Sequence, residues 1–263
     1  MTNQRIHIAF FDIDWTLYDH QNRAWSTKSL EAIKELQAEG VKAVLCSARP
    51  FHSMKIFGVF DLGIHWDGYI SSAGACAYVD GQFIRKTLMD PSRVREFLSL
   101  VEENGLTTEI VGPLYRKLAF PQNAISKEYY ARFTEQIPTL SPYEGEEVTG
   151  LNLFSHEDTD SLFLSRFPDF TFYRYAPFAV DVAGEPHQKG DAIDVVLKYF
   201  GFSKSEGIGF GDDYQDISMA EHLGTFVAMN NGRDEVKAVA SFVAPDVWND
   251  GVYWGLKHYR LID

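Results

Sequence analysis

Two carboxylates one residue apart, Asp12 and Asp14, follow the apolar run Ile6 to Phe11, and a second acidic group, Asp212, Asp213 and Asp216, follows another apolar run that ends at Phe210. Carboxylates brought close together repel unless a cation neutralises them or a proton is shared. A hard divalent metal is the economical answer, and neither cluster contains a Cys or His, so the oxygen-only ligand set favours Mg2+ over Zn2+. Mg2+ usually keeps waters and joins one or two carboxylates to a phosphate. Ser47 and Lys189 supply the hydrogen-bond donor and the positive charge that a phosphate needs. A carboxylate can itself be the nucleophile, forming an aspartyl-phosphate, when a metal and a lysine shield it from the approaching anion. That gives the first aspartate a task and leaves the second free to transfer a proton to the leaving oxygen.

These groups need a scaffold that delivers them to one edge, and the chain reads as one that does. Ile6 to Phe11 is a short apolar run of the kind buried on both faces of a parallel sheet. Leu30, Ile33 and Leu36 recur at helical spacing between Thr27 and Glu39, and Gly40 closes that helix. Val41 to Cys46 is again a strand, followed by Ser47-Ala48-Arg49-Pro50 and a mixed stretch ending near Phe60. Tyr69 to Ser72 makes a third strand, and Ala75 to Val79 with Phe83 to Arg85 reads as a hairpin turning at Asp80-Gly81. From Ile84 to Gly184 the texture changes: helical patterns at Val94 to Glu103 and Tyr129 to Gln136 mix with strands at Thr107 to Val111, Leu151 to Phe154 and Phe170 to Tyr173. The α/β rhythm then returns, with helices at Ala192 to Phe200, Ile217 to His222 and Val236 to Ala240 and strands at Gly207 to Phe210 and Phe226 to Met229. The expected class is α/β: a Rossmann-like core with a parallel sheet flanked by helices, residues 1–83 and 185–263, plus an inserted α+β lobe, residues 84–184. Ligands of open parallel sheets bind beyond the carboxyl ends of the strands, which is where Asp12, Asp14, Ser47, Arg49, Asp212 and Asp213 fall.

Composition narrows the classes further. The 263 residues, 45% hydrophobic and 23% charged, describe a folded globular protein with room for two lobes. A net charge of −13 with no basic run argues against nucleic-acid binding. Cys46 and Cys76 are too few for a disulfide framework, and the opening MTNQRIHIAFF lacks a signal-peptide pattern, so the cytoplasm is the expected compartment. No apolar stretch nears the roughly 18–20 residues that cross a bilayer, so no membrane role is expected. The expected partner is a small phosphorylated molecule, and no residue pattern points to an oligomeric state.

In order along the chain, Asp12-Ile13-Asp14-Trp15-Thr16-Leu17, Ser47-Ala48-Arg49, Lys189-Gly190 and Gly211-Asp212-Asp213-Tyr214-Gln215-Asp216 resemble the motifs of the haloacid dehalogenase-like superfamily, and within it the Cof-type capped phosphatases. Val227 to Asn231 and Asn249 to Val252 also look like family segments, and the insertion lies where such members carry their cap domain. The resemblance implies a Mg2+-dependent phosphatase of small phosphorylated metabolites, sugar phosphates first among them, with a cap that closes over the leaving group. It implies Asp12 as nucleophile and Asp14 as general acid/base that also binds the metal through its backbone carbonyl. Ser47 and Lys189 would bind phosphate, Asp212 would complete the metal site with Asp12 and Asp14, Thr16 would support the loop, and Asp213 and Asp216 would lie nearby as outer-shell or water-mediated partners. Gln215 stands where asparagine is usual, Ala48 where glycine is usual, and Ala73 where an asparagine commonly precedes the glycine. Rival readings are a phosphosugar mutase using the same aspartyl-phosphate, a non-catalytic module that binds a phosphorylated ligand, and a sugar-nucleotide transferase, which leaves Lys189 unexplained.

Other residues have plainer readings. Arg49 fits either the site or a structural carboxylate. Cys46 is read as a buried strand cysteine, since its loop SARPFH lacks the arginine placement of a thiol phosphatase. Gly207, Gly209 and Gly211 alternate inside a strand, unlike a dinucleotide fingerprint. His156, Glu157, Asp158 and Asp160 read as an acidic helix start, and the aromatics between Tyr115 and Phe178 mostly as packing.

Overall fold

The computed structural model describes residues 5–133 and 136–263. The chain divides into two compact units, one made of residues up to Arg49, Ser53–Arg85 and His187–Asp263, the other of Pro50–His52 and Lys86–Pro186.

The first unit is built on a sheet of eight strands. Their order across the sheet is Phe242–Ala244, Thr225–Met229, Gly207–Gly211, Ile8–Phe11, Lys42–Cys46, Gly68–Ser71, Cys76–Val79 and Gln82–Lys86. The first six run parallel, and Cys76–Val79 turns antiparallel to its neighbour. All four residues of Ile8–Phe11 are buried. Ile8 and Phe10 face a core shared with Ile193, Val196 and Leu197 of the helix Lys189–Phe200 and with Met219 of Ile217–His222. Phe11 stacks on Phe210 at 5.2 Å, and Gly255 of the helix Gly251–His258 lies against Phe210. A strand with apolar side chains on both faces fits a sheet with helices on both, each such side chain contributing about 1.5–3 kcal/mol. The helix Thr27–Ala38 buries Leu30, Ile33 and Leu36, and Gly40 follows its end at φ +83°. Asp80 and Gly81, both left-handed, join Cys76–Val79 to Gln82–Lys86.

From Ile8–Phe11 the chain goes first to Lys42–Cys46 on one side and returns much later to Gly207–Gly211 on the other. This reversal is a topological switch point, and the crevice beyond it is where such sheets hold ligands.

The second unit is an antiparallel sheet in the order Thr171–Ala176, Ala179–Ala183, Gly150–Phe154, Thr107–Val111 and Arg116–Leu118. Helices Pro91–Glu103 and Asp160–Arg166 pack on Ile110, Leu151, Leu153, Val180 and Val182. Tyr129 and Tyr130, from Ala124–Phe133, meet Leu118, Phe154 and Ala179. The architecture is thus mixed α/β, with a central, mostly parallel sheet flanked by helices and an α+β unit inserted in the chain. The helix read over Tyr129 to Gln136 begins instead at Ala124, because Asn123 Oδ1 accepts the Ser126 N–H at 2.9 Å and starts it earlier. Thr134 and Glu135, within that reading, lie outside the described residues, as does the stretch Met1 to Gln4. The strand read over Phe170 to Tyr173 runs from Thr171 to Ala176. Asp160, with Glu157 and Asp158 just before it, opens a short helix and pairs with Arg174. No helix among the described residues is long and apolar enough to cross a membrane.

Candidate active site

The carboxyl ends of three neighbouring strands deliver the site. Asp12 continues Ile8–Phe11, its N–H donating to Phe210 O at 3.0 Å, and its carboxylate is buried. Lys189 opens the helix Lys189–Phe200 behind a capping box made by Gln188 and Asp191. Its buried ammonium donates to Asp12 Oδ1 and to Asp216 Oδ1, both at 2.6 Å. Asp216 Oδ2 in turn accepts the backbone N–H groups of Asp212 and Asp213 at 2.8 and 3.0 Å. That loop folds back tightly enough that a Cβ on Gly211 would come within 2.4 Å of the Asp216 carboxyl carbon, so only glycine fits there. Thr16 Oγ1 donates to Asp212 Oδ1 at 3.1 Å.

Asp12, Asp212 and Asp216 each offer an oxygen within 4.8 Å of the others. The Lys189 ammonium pairs with two of these three carboxylates, and the crowding shows in the acidities of Asp12 and Asp212. Burial pushes Asp12 up to about 8 despite the pull of Lys189, with Asp216 and Asp14 adding to the rise. Burial likewise raises Asp212 to about 9, helped by Asp12 and Asp216 and opposed by the Thr16 hydrogen bond. Burial would discharge Lys189, but the Asp12 and Asp216 charges overcome it and hold the amine protonated, well above its ordinary value. A buried set of hard oxygens short of positive charge fits a divalent cation of the Mg2+ kind.

Asp14 belongs to a second, more exposed set. Burial works against its ionisation, but hydrogen bonds from His20 and Arg49 outweigh it and hold its carboxyl well below the usual range. Arg49 binds it in a bidentate fork, Nε to Oδ2 and Nη2 to Oδ1, both at 2.7 Å, and His20 Nε2 lies 2.6 Å from Oδ1. The guanidinium rests over the Phe57 ring at 3.9 Å. Ser47, buried one step beyond Lys42–Cys46, accepts the Arg49 N–H on its Oγ at 3.1 Å and the Ala73 N–H on its carbonyl at 3.2 Å.

The structure therefore brings Asp12, Thr16, Lys189, Asp212 and Asp216 into one hydrogen-bonded set and places Asp14, Arg49 and Ser47 in a second, linked to it through the short loop 12–16. Arg49, open between two readings, pairs with Asp14. Asp213 turns away, half-exposed, to Arg233. Gln215 carries a buried Oε1 with no hydrogen-bond partner among the described residues. Cys46 is buried and free, and burial pushes its thiol up. Among the described residues His156, Glu157, Asp158 and Asp160 form no metal-ready group. One contributor carries no sequence signal of its role, His20, six residues past Asp14; Asn231, in the family-like segment Val227 to Asn231, is given no role by its sequence, and its Nδ2 donates to Trp15 O at 2.9 Å.

The sequence profile of the haloacid dehalogenase-like hydrolase family matches residues 9–256. YkrA of Bacillus subtilis (strain 168) is 29% identical, over 97% of this chain and 98% of its own. A solved structure from Geobacillus kaustophilus HTA426 superposes with a TM-score of 0.92 at 27% identity, over 98% of this chain and 100% of that one. The HAD subclass IIB sugar phosphatase BT4131 does so with a TM-score of 0.79 at 28% identity, over 97% and 100%.

Proposed function

The chain belongs to the haloacid dehalogenase-like hydrolases, and from that membership we propose that it is a phosphatase, a phosphoric monoester hydrolase acting on small phosphorylated metabolites, sugar phosphates first. The observation that carries the reading is the buried Lys189 ammonium 2.6 Å from both Asp12 and Asp216, with Asp212 adjacent: a nucleophilic carboxylate held next to the cation that screens it from an anionic substrate.

In the proposed reaction an Asp12 carboxylate oxygen attacks phosphorus, forming an aspartyl-phosphate as the bond to the leaving oxygen breaks. The departing oxygen takes a proton from Asp14 and leaves as the alcohol. A water then gives its proton back to Asp14 and attacks phosphorus, releasing phosphate and restoring the Asp12 carboxylate. Paired with Arg49 and His20, Asp14 is ionised and set for the second step; the first requires that it carry a proton, which means loosening that fork. Lys189 and Ser47 bind the phosphoryl oxygens, and Thr16 holds Asp212 in place. Mg2+, held by Asp12, Asp212 and the backbone carbonyl of Asp14, would offset the negative charge of phosphoryl group and carboxylates, with Asp216 and Gln215 in its surroundings. Residues 84–184 are proposed as the cap domain.

The test is phosphate release from a panel of phosphorylated sugars, nucleotides and cofactors, with Mg2+ and with chelator, for the parent and for Asp12→Asn. Chelator-sensitive release that disappears in Asp12→Asn is expected. Isomerised phosphosugar without free phosphate would replace hydrolysis by the mutase reading.

A further inference from the structure

Beside Asp14 and its partner His20 stand further rings for which proton transfer has no use. Trp15 takes φ 59°, left-handed backbone in which a bulky residue is an outlier. The turn demands it: Leu17 and Tyr18 N–H both reach Ile13 O at 2.9 Å while Trp15 N–H donates to Tyr18 O at 2.9 Å. Glycine would satisfy such a turn without strain, yet an indole occupies it. That indole does not serve the core, being 37% exposed. Its ring lies 5.2 Å from that of His20, the residue bonded to Asp14. Tyr18 follows at 4.9 Å from His20, and Phe57 and Trp25 stand 4.6 and 5.0 Å from Tyr18. Trp15 is thus the open end of an aromatic row that frames the proposed proton donor. Strained, exposed residues of this kind cluster at sites of function.

We propose that Trp15 is a specificity-determining residue whose indole face receives the leaving group of the phosphate ester, and that the group it selects is a ring. The inference rests on the phosphatase reading. An acid that protonates the leaving oxygen must touch that oxygen, so whatever the oxygen carries begins within reach of the neighbouring Trp15 side chain. An indole is a large, stiff apolar plate, and it gains most from a partner with a flat face. The C–H face of a pyranose and the π face of a heteroaromatic ring share that chemistry; a flexible acyclic chain does not.

The test compares kcat and KM for glucose 6-phosphate, pyridoxal 5′-phosphate and glycerol 3-phosphate in the parent, Trp15→Gly, Trp15→Asn and Trp15→Phe. Trp254→Ala, removing an exposed indole elsewhere in the unit, is the control. Glycine and asparagine both tolerate the left-handed turn, so either ringless variant keeps the loop. The expected result is a KM for one or both ring esters raised about fivefold more than that for glycerol 3-phosphate, with kcat less affected. Trp15→Phe should recover most of that loss, Trp254→Ala should move nothing, and the ester losing more identifies the ring chemistry. Equal KM changes across the three esters, or a loss confined to kcat, would overturn the proposal. Absence of phosphate release by the parent from every ester of the wider panel would overturn the phosphatase reading and this inference with it, a result distinct from equal losses.

Discussion

Each unit of the molecule buries an ionic cluster, and the two are composed oppositely. In the second unit Glu109, 1% exposed, takes a bidentate fork from Arg116 at 2.7 and 2.7 Å and a further hydrogen bond from Tyr130. Among the described residues one guanidinium meets one carboxylate there, and the hydroxyl adds a donor. In the first unit the Lys189 ammonium pairs with both Asp12 and Asp216, and a third carboxylate, Asp212, lies beside them. A balanced buried pair fixes a register between strands and asks for nothing else; an unbalanced one stays costly until a further cation, or an anion carrying its own cation, completes it. Burial alone therefore does not mark a functional site. The charge left over does.

The contrast can be pressed by substitution, and the largest effect is expected at Asp12. Asp12→Asn should reduce phosphate release to background while its stability without divalent cations does not fall, and rises by on the order of 1 kcal/mol, because an amide escapes the cost of burying a carboxylate beside other acidic groups. Clear destabilisation in denaturant melts would mean that the cluster is structural after all. Asp14→Asn should slow turnover by about 10²–10⁴-fold. A loss below about tenfold in steady-state kinetics would take proton transfer away from Asp14. For the second unit's pair the expected sign is reversed: Glu109→Gln should cost about 3–5 kcal/mol by breaking the buried carboxylate–guanidinium fork, whereas Glu109→Leu combined with Arg116→Met should recover most of it. Urea midpoints of the single and double variants decide. Smaller again is the response to metal: Mg2+ at about 100 times its dissociation constant should stabilise the parent by about 2.7 kcal/mol, read as a rise in melting temperature. Glu109→Gln should keep that increment and Asp212→Asn should lose it. Asp213→Ala, at a half-exposed pair with Arg233, should change stability by no more than about 0.5 kcal/mol.

Much of this difference could be read in the chain before any coordinates. Asp12, Ser47 and Asp212 each follow an apolar run, and a parallel sheet places all such run-ends on one edge, so local pattern was enough to gather them. The second unit was less legible. Arg116–Leu118 and Ala179–Ala183 are short strands whose mixed composition has no clear period, and their pairing is decided by partners distant in sequence. Glu109 looks like any surface glutamate until the neighbouring strand brings Arg116 diagonally to it. His20 stayed silent for the same reason: its contact with Asp14 is made from the loop of a short hairpin, Tyr18–Asp19 with Ala24–Trp25, which no periodicity announces.

The central position of Ile8–Phe11 also sets a schedule. Of its two neighbours, Lys42–Cys46 follows closely in the chain, whereas Gly207–Gly211 is made about 200 residues later. At ordinary translation rates of about 5–20 residues per second, that edge waits for roughly 10–40 s with its apolar side chains and its hydrogen-bonding groups uncovered. The strand that leads into Asp12 is thus also a part of the nascent chain in need of shelter, and a chain cut short between residues 46 and 207 would leave a half-sheet open to association with other chains.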